Sequence, residues 1–178
     1  MRVVAGSARG RRLRAPAGNI TRPTSDRVRE AIFASLSSMG VIEGATVADL
    51  FAGTGAMGIE ALSRGAAAVT FVETDRDAVE AIHANLTATG FTGEVVRVDV
   101  VRWASRGQPV DLALVDPPYT FDDWPELLGA LQARVVVCET AGELDPGPGW
   151  EVLRAKRYGG TVVTVVQSRG AIDERDEP

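Results

Sequence analysis

T-V-A-D-L-F-A-G-T-G-A-M-G, residues 46–58, decides the fold. An apolar run carrying one acid, Asp49, gives way to Gly53, Gly55 and Gly58 in the spacing G-x-G-x-x-G, and then to a helix-forming stretch that stops at Gly65. Strand, glycine turn and helix make the first half of a nucleoside-binding unit, because the glycines permit a tight turn and let backbone approach a ligand. Glu73 follows Gly53 by twenty residues, at the end of a second apolar run, A-V-T-F-V-E, a spacing that suits the hydroxyls of an adenosine ribose. Glycines that merely close a turn would not need the strand before, the helix after and the acid at that distance. At this point the nucleoside belongs equally to NAD or to S-adenosylmethionine.

Outward from this unit the chain alternates helix and strand. Upstream, Ser25 is placed to cap a helix D-R-V-R-E-A-I-F-A-S-L, whose Val28, Ile32, Phe33 and Leu36 share one face. Downstream, a helix from Arg76 to about Thr89 repeats the period through Val79, Ile82 and Leu86 and stops at Gly90. His83, the single histidine, lies on it and reads as a surface side chain. Then come the strand E-V-V-R-V-D ending at Asp99, a short helix through Trp103, the strand V-D-L-A-L-V, the turn D-P-P-Y, a helix opened by Trp124 and Pro125, and the strand R-V-V-V-C-E. The stretch from Glu151 to Gln167 reads as a hairpin turning at Gly159 and Gly160. Such alternation predicts an α/β fold: a mostly parallel sheet covered on both faces, with an antiparallel hairpin at one edge. Only the final D-E-R-D-E-P reads as disordered.

Ligands of such sheets bind at the carboxyl ends of the strands, where the winding reverses. Asp49 stands four residues before Gly53, where its charge would oppose the pyrophosphate of a dinucleotide but suit S-adenosylmethionine, which carries an ammonium group and a sulfonium and no phosphate. Asp99 either accepts from an adenine amino group or caps the helix that follows. Asp116, Pro117, Pro118 and Tyr119 end the fourth strand, which should lie beside the first. A residue before proline is held extended and each proline removes a donor, so the turn is a stiff set of acceptors. The Asp116 carboxylate and the Pro117 carbonyl would take the two N–H groups of a nucleobase amine and aim its lone pair at a methyl donor, with Tyr119 stacked on the base. A plain D-P-P turn and a packing ring are the bland alternative.

Charge is unevenly spread. The first thirty residues hold eight arginines against Asp26 and Glu30, a surplus of six, which leaves the rest of a chain of net charge −5 at −11. This basic extension, residues 1–24 ahead of a body at 25–178, is either an RNA-binding arm or a solvated tail. Its candidate phosphate contacts are Arg9, Arg11, Arg12, Arg14 and Arg22. Glycines and Pro16 within it spoil the amphipathic helix of a transit peptide. With 178 residues, 45% of them hydrophobic, one domain with a sizeable core is expected. The lone Cys138 lies in an apolar run and fits a reducing, cytoplasmic setting; no metal-ligand cluster and no membrane-length apolar run stand out. Without a cysteine nucleophile in a matching motif, direct transfer to an amine is the reaction expected.

The residues resemble a known family. D-P-P-Y with D-L-F-A-G-T-G looks like the amino-methylating branch of class I S-adenosylmethionine methyltransferases, and R-G-R-R-L, T-R-P-T-S-D-R-V-R-E-A-I-F, A-M-G-I-E-A-L-S-R-G-A and F-V-E-T-D closely resemble the RsmD family. The resemblance implies a Rossmann-like seven-stranded sheet in the order 3-2-1-4-5-7-6, S-adenosylmethionine as cofactor, and methylation of the N2 amine of one guanine in 16S ribosomal RNA or the small ribosomal subunit, by a metal-free monomer. It also implies that Asp49, Gly53, Gly55, Glu73 and Asp99 line the cofactor site and Asp116, Pro117 and Tyr119 the target-base site. Arg27, Arg29 and Glu30 match the family block without an assignable role. An amino-methyltransferase acting on another RNA or on DNA, a non-catalytic RNA-binding protein and an NAD-linked oxidoreductase are the alternatives.

Overall fold

A computed structural model describes residues 1–15 and 26–172. Its helices are α1 (Asp26–Ser38), α2 (Ala56–Ser63), α3 (Arg76–Thr89), α4 (Val100–Ala104) and α5 (Trp124–Ala130). Its strands are β1 (Thr46–Leu50), β2 (Ala68–Glu73), β3 (Glu94–Arg97), β4 (Val110–Val115), β5 (Ala133–Thr140), β6 (Trp150–Tyr158) and β7 (Thr161–Ser168). They form one sheet in the order β3-β2-β1-β4-β5-β7-β6, as the resemblance implies. The first five strands run parallel, and β7 pairs antiparallel with both β5 and β6. The winding reverses between β1 and β4, so the turns after these two strands open onto one crevice.

Strand alternation divides the core. Val47, Val69, Phe71, Leu112, Leu114, Val135 and Val137 meet α1, α2 and α3 on one face. Ala48, Leu50, Val72, Ala113, Val115, Val136 and Cys138 meet α4 and α5 on the other. Because side chains alternate along a strand, Asp49, Glu73 and Asp116 all project from the first face. The face that holds α2 therefore also holds the carboxylates.

Several boundaries differ from the sequence reading by one or two residues. β1 ends at Leu50, because Phe51 turns out of the strand with a left-handed φ of 60°. β3 ends at Arg97, two residues before Asp99, which starts α4 instead. α1 runs two residues beyond Leu36. On α1, Ile32, Phe33 and Leu36 are buried as the periodicity predicts, and Arg29 is buried with them; Ser25, its expected cap, lies outside the described residues. His83 is exposed, as expected.

The first fourteen residues are docked against the body. Val3 and Arg11 share a backbone bond of 3.0 Å, Leu13 donates to Met1, and Arg2 bridges Arg12, which makes a hairpin. Val3, Ala8 and Leu13 enter the same core as α1 to α3. The hairpin approaches α2 so closely that a Cβ on Gly6 would lie 1.8 Å from the Ser63 carbonyl oxygen. No helix among the described residues is long and apolar enough to cross a membrane.

Candidate functional site

The glycine turn is built around two carboxylates. Asp49 is 3% exposed, and its Oδ2 accepts the Gly58 N–H at 2.8 Å. Gly58 is the third residue of α2, and Gly55, at the cap position, has no side chain to offer, so a strand aspartate supplies the cap that the helix lacks. Gly58 is also where α2 lies on the sheet: a Cβ there would meet the Phe71 ring at 2.4 Å. Glu73 closes the other side, accepting from the Gly53 N–H at 2.8 Å and from the Thr74 and Asp75 N–H groups at 2.7 and 2.9 Å.

Burial pushes the Asp49 carboxyl well above its ordinary range; the Gly58 bond opposes this, and the charges of Asp116 and Glu73 add to it. Acids at the ends of the two neighbouring strands thus act on Asp49 across the turn. A positively charged ligand relieves that repulsion and a pyrophosphate aggravates it. The carboxylates therefore fit the ammonium and sulfonium of S-adenosylmethionine better than a dinucleotide. Asp99 is exposed, and its Oδ1 caps α4 by accepting the Arg102 N–H at 3.0 Å. The cap is thus formed, and the second carboxylate oxygen takes no part in it.

Beyond β4, Asp116 is half-buried, Pro117 buried and Tyr119 65% exposed. The Tyr119 ring stands out from the surface while its hydroxyl pairs with the Thr161 hydroxyl at 3.1 Å, at the start of β7. Behind the turn, Phe51 packs edge-on against Phe121 at 5.0 Å between ring centroids, and Phe121 against Trp124 at 5.4 Å. This chain of rings ties the residue in left-handed conformation after β1 to the segment after D-P-P-Y. A non-glycine residue held in that region persists only where its surroundings enforce it, and here the aromatic packing does so.

Sequence reasoning missed Thr161, Phe51 and a buried hub on α2. Glu60 is fully buried; its two oxygens accept the Val4 and Ala5 N–H groups at 2.7 and 3.0 Å, and Arg64 donates to it at 2.8 Å. Arg29, 1% exposed, lies 3.8 Å from Glu60, bonds Asp26 at 2.9 Å and donates to the Arg2 carbonyl. Arg29 of the family block thus holds the N-terminal hairpin to α2. Asn85 of α3, also fully buried, makes a second clamp. Its Oδ1 accepts the Arg14 N–H at 2.7 Å, and its Nδ2 donates to the carbonyls of Arg14 at 3.0 Å and Thr54 at 2.9 Å. Thr54 lies between Gly53 and Gly55, so one side chain joins the hairpin to the glycine turn. The only sequence signals were a single acid in the otherwise small and apolar A-M-G-I-E-A-L and an amide on the buried face of α3. Arg9, Arg11, Arg12 and Arg14 are exposed on the hairpin, whereas Arg22 lies outside the described residues.

Comparison with known proteins shows the family. A family model described as "Conserved hypothetical protein 95" matches residues 1–167. "Putative rRNA methyltransferase YlbH" of Bacillus subtilis is 34% identical over 192 residues, covering 96% of this chain and 100% of that one. "Ribosomal RNA small subunit methyltransferase D" of Escherichia coli is 41% identical over 121 residues, covering 67% of this chain and 60% of that one. The solved structure of "Putative methyltransferase yhhF" from Escherichia coli superimposes with a TM-score of 0.83 at 33% identity, covering 94% of this chain and 97% of that one. With the strand order, the glycine turn and D-P-P-Y in their expected places, the chain belongs to the RsmD family of methyltransferases.

Proposed function

We propose that the chain transfers a methyl group from S-adenosylmethionine to the N2 amine of a guanine in 16S ribosomal RNA of the small subunit. The observation that carries this reading is the meeting of an acidic glycine turn with a rigid acceptor turn at the reversal of the sheet, on a chain whose relatives are named as ribosomal RNA methyltransferases. S-adenosylmethionine supplies, when bound, a methyl group on a positively charged sulfur.

The chain's own residues do the rest by positioning and electrostatics. Asp49 presents negative charge to the cationic groups, while Glu73, whose carboxylate already braces the turn, keeps lone pairs for ribose hydroxyls. Asp99 accepts from the adenine amine with the oxygen that does not cap α4. An exocyclic amine is a weak nucleophile because its lone pair is conjugated with the ring. Asp116 and the Pro117 carbonyl accept its two N–H groups, which favours a pyramidal nitrogen with its lone pair turned outward. Tyr119 stacks on the extruded base, a contact of roughly 1–3 kcal/mol, while its hydroxyl stays anchored on Thr161. The exposed hairpin arginines take the RNA backbone.

Nucleoside analysis of 16S ribosomal RNA from cells lacking this chain tests the assignment. Loss of one N2-methylguanosine, restored by the wild-type gene and not by Asp116→Ala, is the expected result. An unchanged methylation map, or transfer by the purified chain to duplex DNA and not to small subunits, would overturn it.

A further inference from the structure

β6 is the outer strand of the sheet, and Arg154, Lys156 and Arg157 stand exposed on it within four residues. They include the only lysine of a chain whose net charge is −5. Charges on an edge strand commonly serve to prevent edge-to-edge pairing, and that is the ordinary explanation. Their position argues for more. β5 runs parallel to β4 and ends at Thr140, which pairs with Val162 of β7, and Thr161 in turn pairs with Tyr158. The last residues of β6 therefore lie at the same end of the sheet as D-P-P-Y.

A continuous set of contacts joins the two. Tyr119 pairs with Thr161 at 3.1 Å, Thr161 faces Tyr158 one strand away, about 5 Å, and the Lys156 ammonium sits 5.1 Å from the centre of the Tyr158 ring. Register also fixes the face. Lys156 lies opposite Val163 and Arg154 opposite Val165, and both valines belong to the core shared with α1 and the N-terminal hairpin, whereas Arg157, opposite Val162, projects from the other face of the same outer strand. Arg154 accordingly donates to Ser35 of α1 at 3.2 Å. Arg14 is fastened beside the glycine turn through Asn85, on the β1–β2 side of the crevice, whereas Lys156 and Arg157 stand on the β7–β6 side. The target-base turn lies between them.

We propose that Lys156, on the face it shares with Arg154, and Arg157, on the other face, flank the open edge of β6 as a second phosphate-binding site, where an RNA backbone crossing that edge is held on the side of the target-base turn away from the hairpin. This rests on the reading of the chain as an RNA methyltransferase. The test is the salt dependence of binding to a fluorescently labelled single-stranded RNA oligonucleotide, for wild type and for the double variant Lys156→Gln, Arg157→Gln. Each phosphate contact contributes about 0.7 to the slope of log affinity against log salt, so two lost contacts flatten it by about 1.4. The expected result is that flattening, with S-adenosylhomocysteine affinity by calorimetry and the melting temperature unchanged. The exchange pair Lys156→Arg, Arg157→Lys should retain the wild-type slope. An unaltered slope in the glutamine variant overturns the proposal, and so does new self-association with the RNA slope intact, which would return these charges to guarding the edge. Wild-type protein that shows no salt-dependent RNA binding overturns the proposed function as well, so the two failures are distinguishable.

Discussion

On the cofactor side of the crevice Asp49 is 3% exposed, Glu73 accepts three backbone N–H groups, and Glu60 and Asn85 are fully buried with their polar atoms bonded to the hairpin, to Arg64 and to the glycine turn. On the target side Tyr119 is 65% exposed and rests on one hydroxyl pair, with rings packed behind the turn. A network of buried bonds fixes one side, whereas the other keeps a stiff backbone under an open face. The difference suits the two ligands proposed for these sides. A small cationic cofactor rewards a preorganised, desolvated cradle, but a base delivered on a folded RNA needs a platform that it can reach.

Breaking the rigid side should have the largest effect. Glu60→Ala leaves Arg29 buried beside an empty position and releases Val4 and Ala5, so urea unfolding should show a loss of about 3–5 kcal/mol. Hydrogen exchange at those two amides should accelerate. A loss below about 1 kcal/mol would mean that the hairpin does not depend on this residue.

Asp49 comes next. Asp49→Asn keeps an acceptor for the Gly58 N–H and removes the charge, so it should weaken S-adenosylhomocysteine binding by about 1.5–3 kcal/mol while the fold persists. In wild type, the raised Asp49 carboxyl still holds its proton above the ordinary carboxyl range, and a ligand bearing an ammonium group favours its ionised form. Affinity should therefore rise with pH through that window and level off above it, and Asp49→Asn should flatten the rise. Stability has the opposite sign: the folded chain holds this proton more tightly than the unfolded one, so Asp49 lowers stability as pH rises through the same window. Calorimetry across that range checks both; a pH-independent wild-type affinity would contradict the electrostatic account.

Asn85→Ala strands the Arg14 and Thr54 backbone groups, a cost of about 1–3 kcal/mol. It should loosen S-adenosylhomocysteine binding and hasten exchange at the Arg14 amide. Unchanged values for both would separate the hairpin from the cofactor turn. Thr161→Val is the gentlest change, removing only the partner of the Tyr119 hydroxyl. It should lower kcat by about fivefold, in keeping with a net hydrogen bond near 1 kcal/mol, without moving cofactor affinity.

Much of the fold was legible because local and long-range signals agreed. T-V-A-D-L-F-A-G-T-G carries strand propensity, turn glycines and helix start in order, and the structure follows it to within one residue at Phe51. Asp99 was ambiguous for a physical reason: an aspartate before a helix is both a cap and a polar strand-end residue, and here the cap forms. Glu60 and Arg29 stayed hidden because their partners are distant in sequence. Glu60 bonds Val4, 56 residues away, and nothing in A-M-G-I-E-A-L tells a surface glutamate from a buried hub. Thr161 was hidden likewise, since its bond to Tyr119 spans 42 residues and depends on β7 lying beside β5.

Single-turnover methyl transfer to small ribosomal subunits by Asp116→Ala, measured beside wild type with saturating S-adenosylmethionine, tests the central claim most directly. Asp116 is assigned to orient the amine, so the rate should fall by about 10²-fold, the scale of one lost preorganised contact, while RNA and S-adenosylhomocysteine affinities stay within a few-fold of wild type. A variant that transfers methyl groups at the wild-type rate would contradict the account.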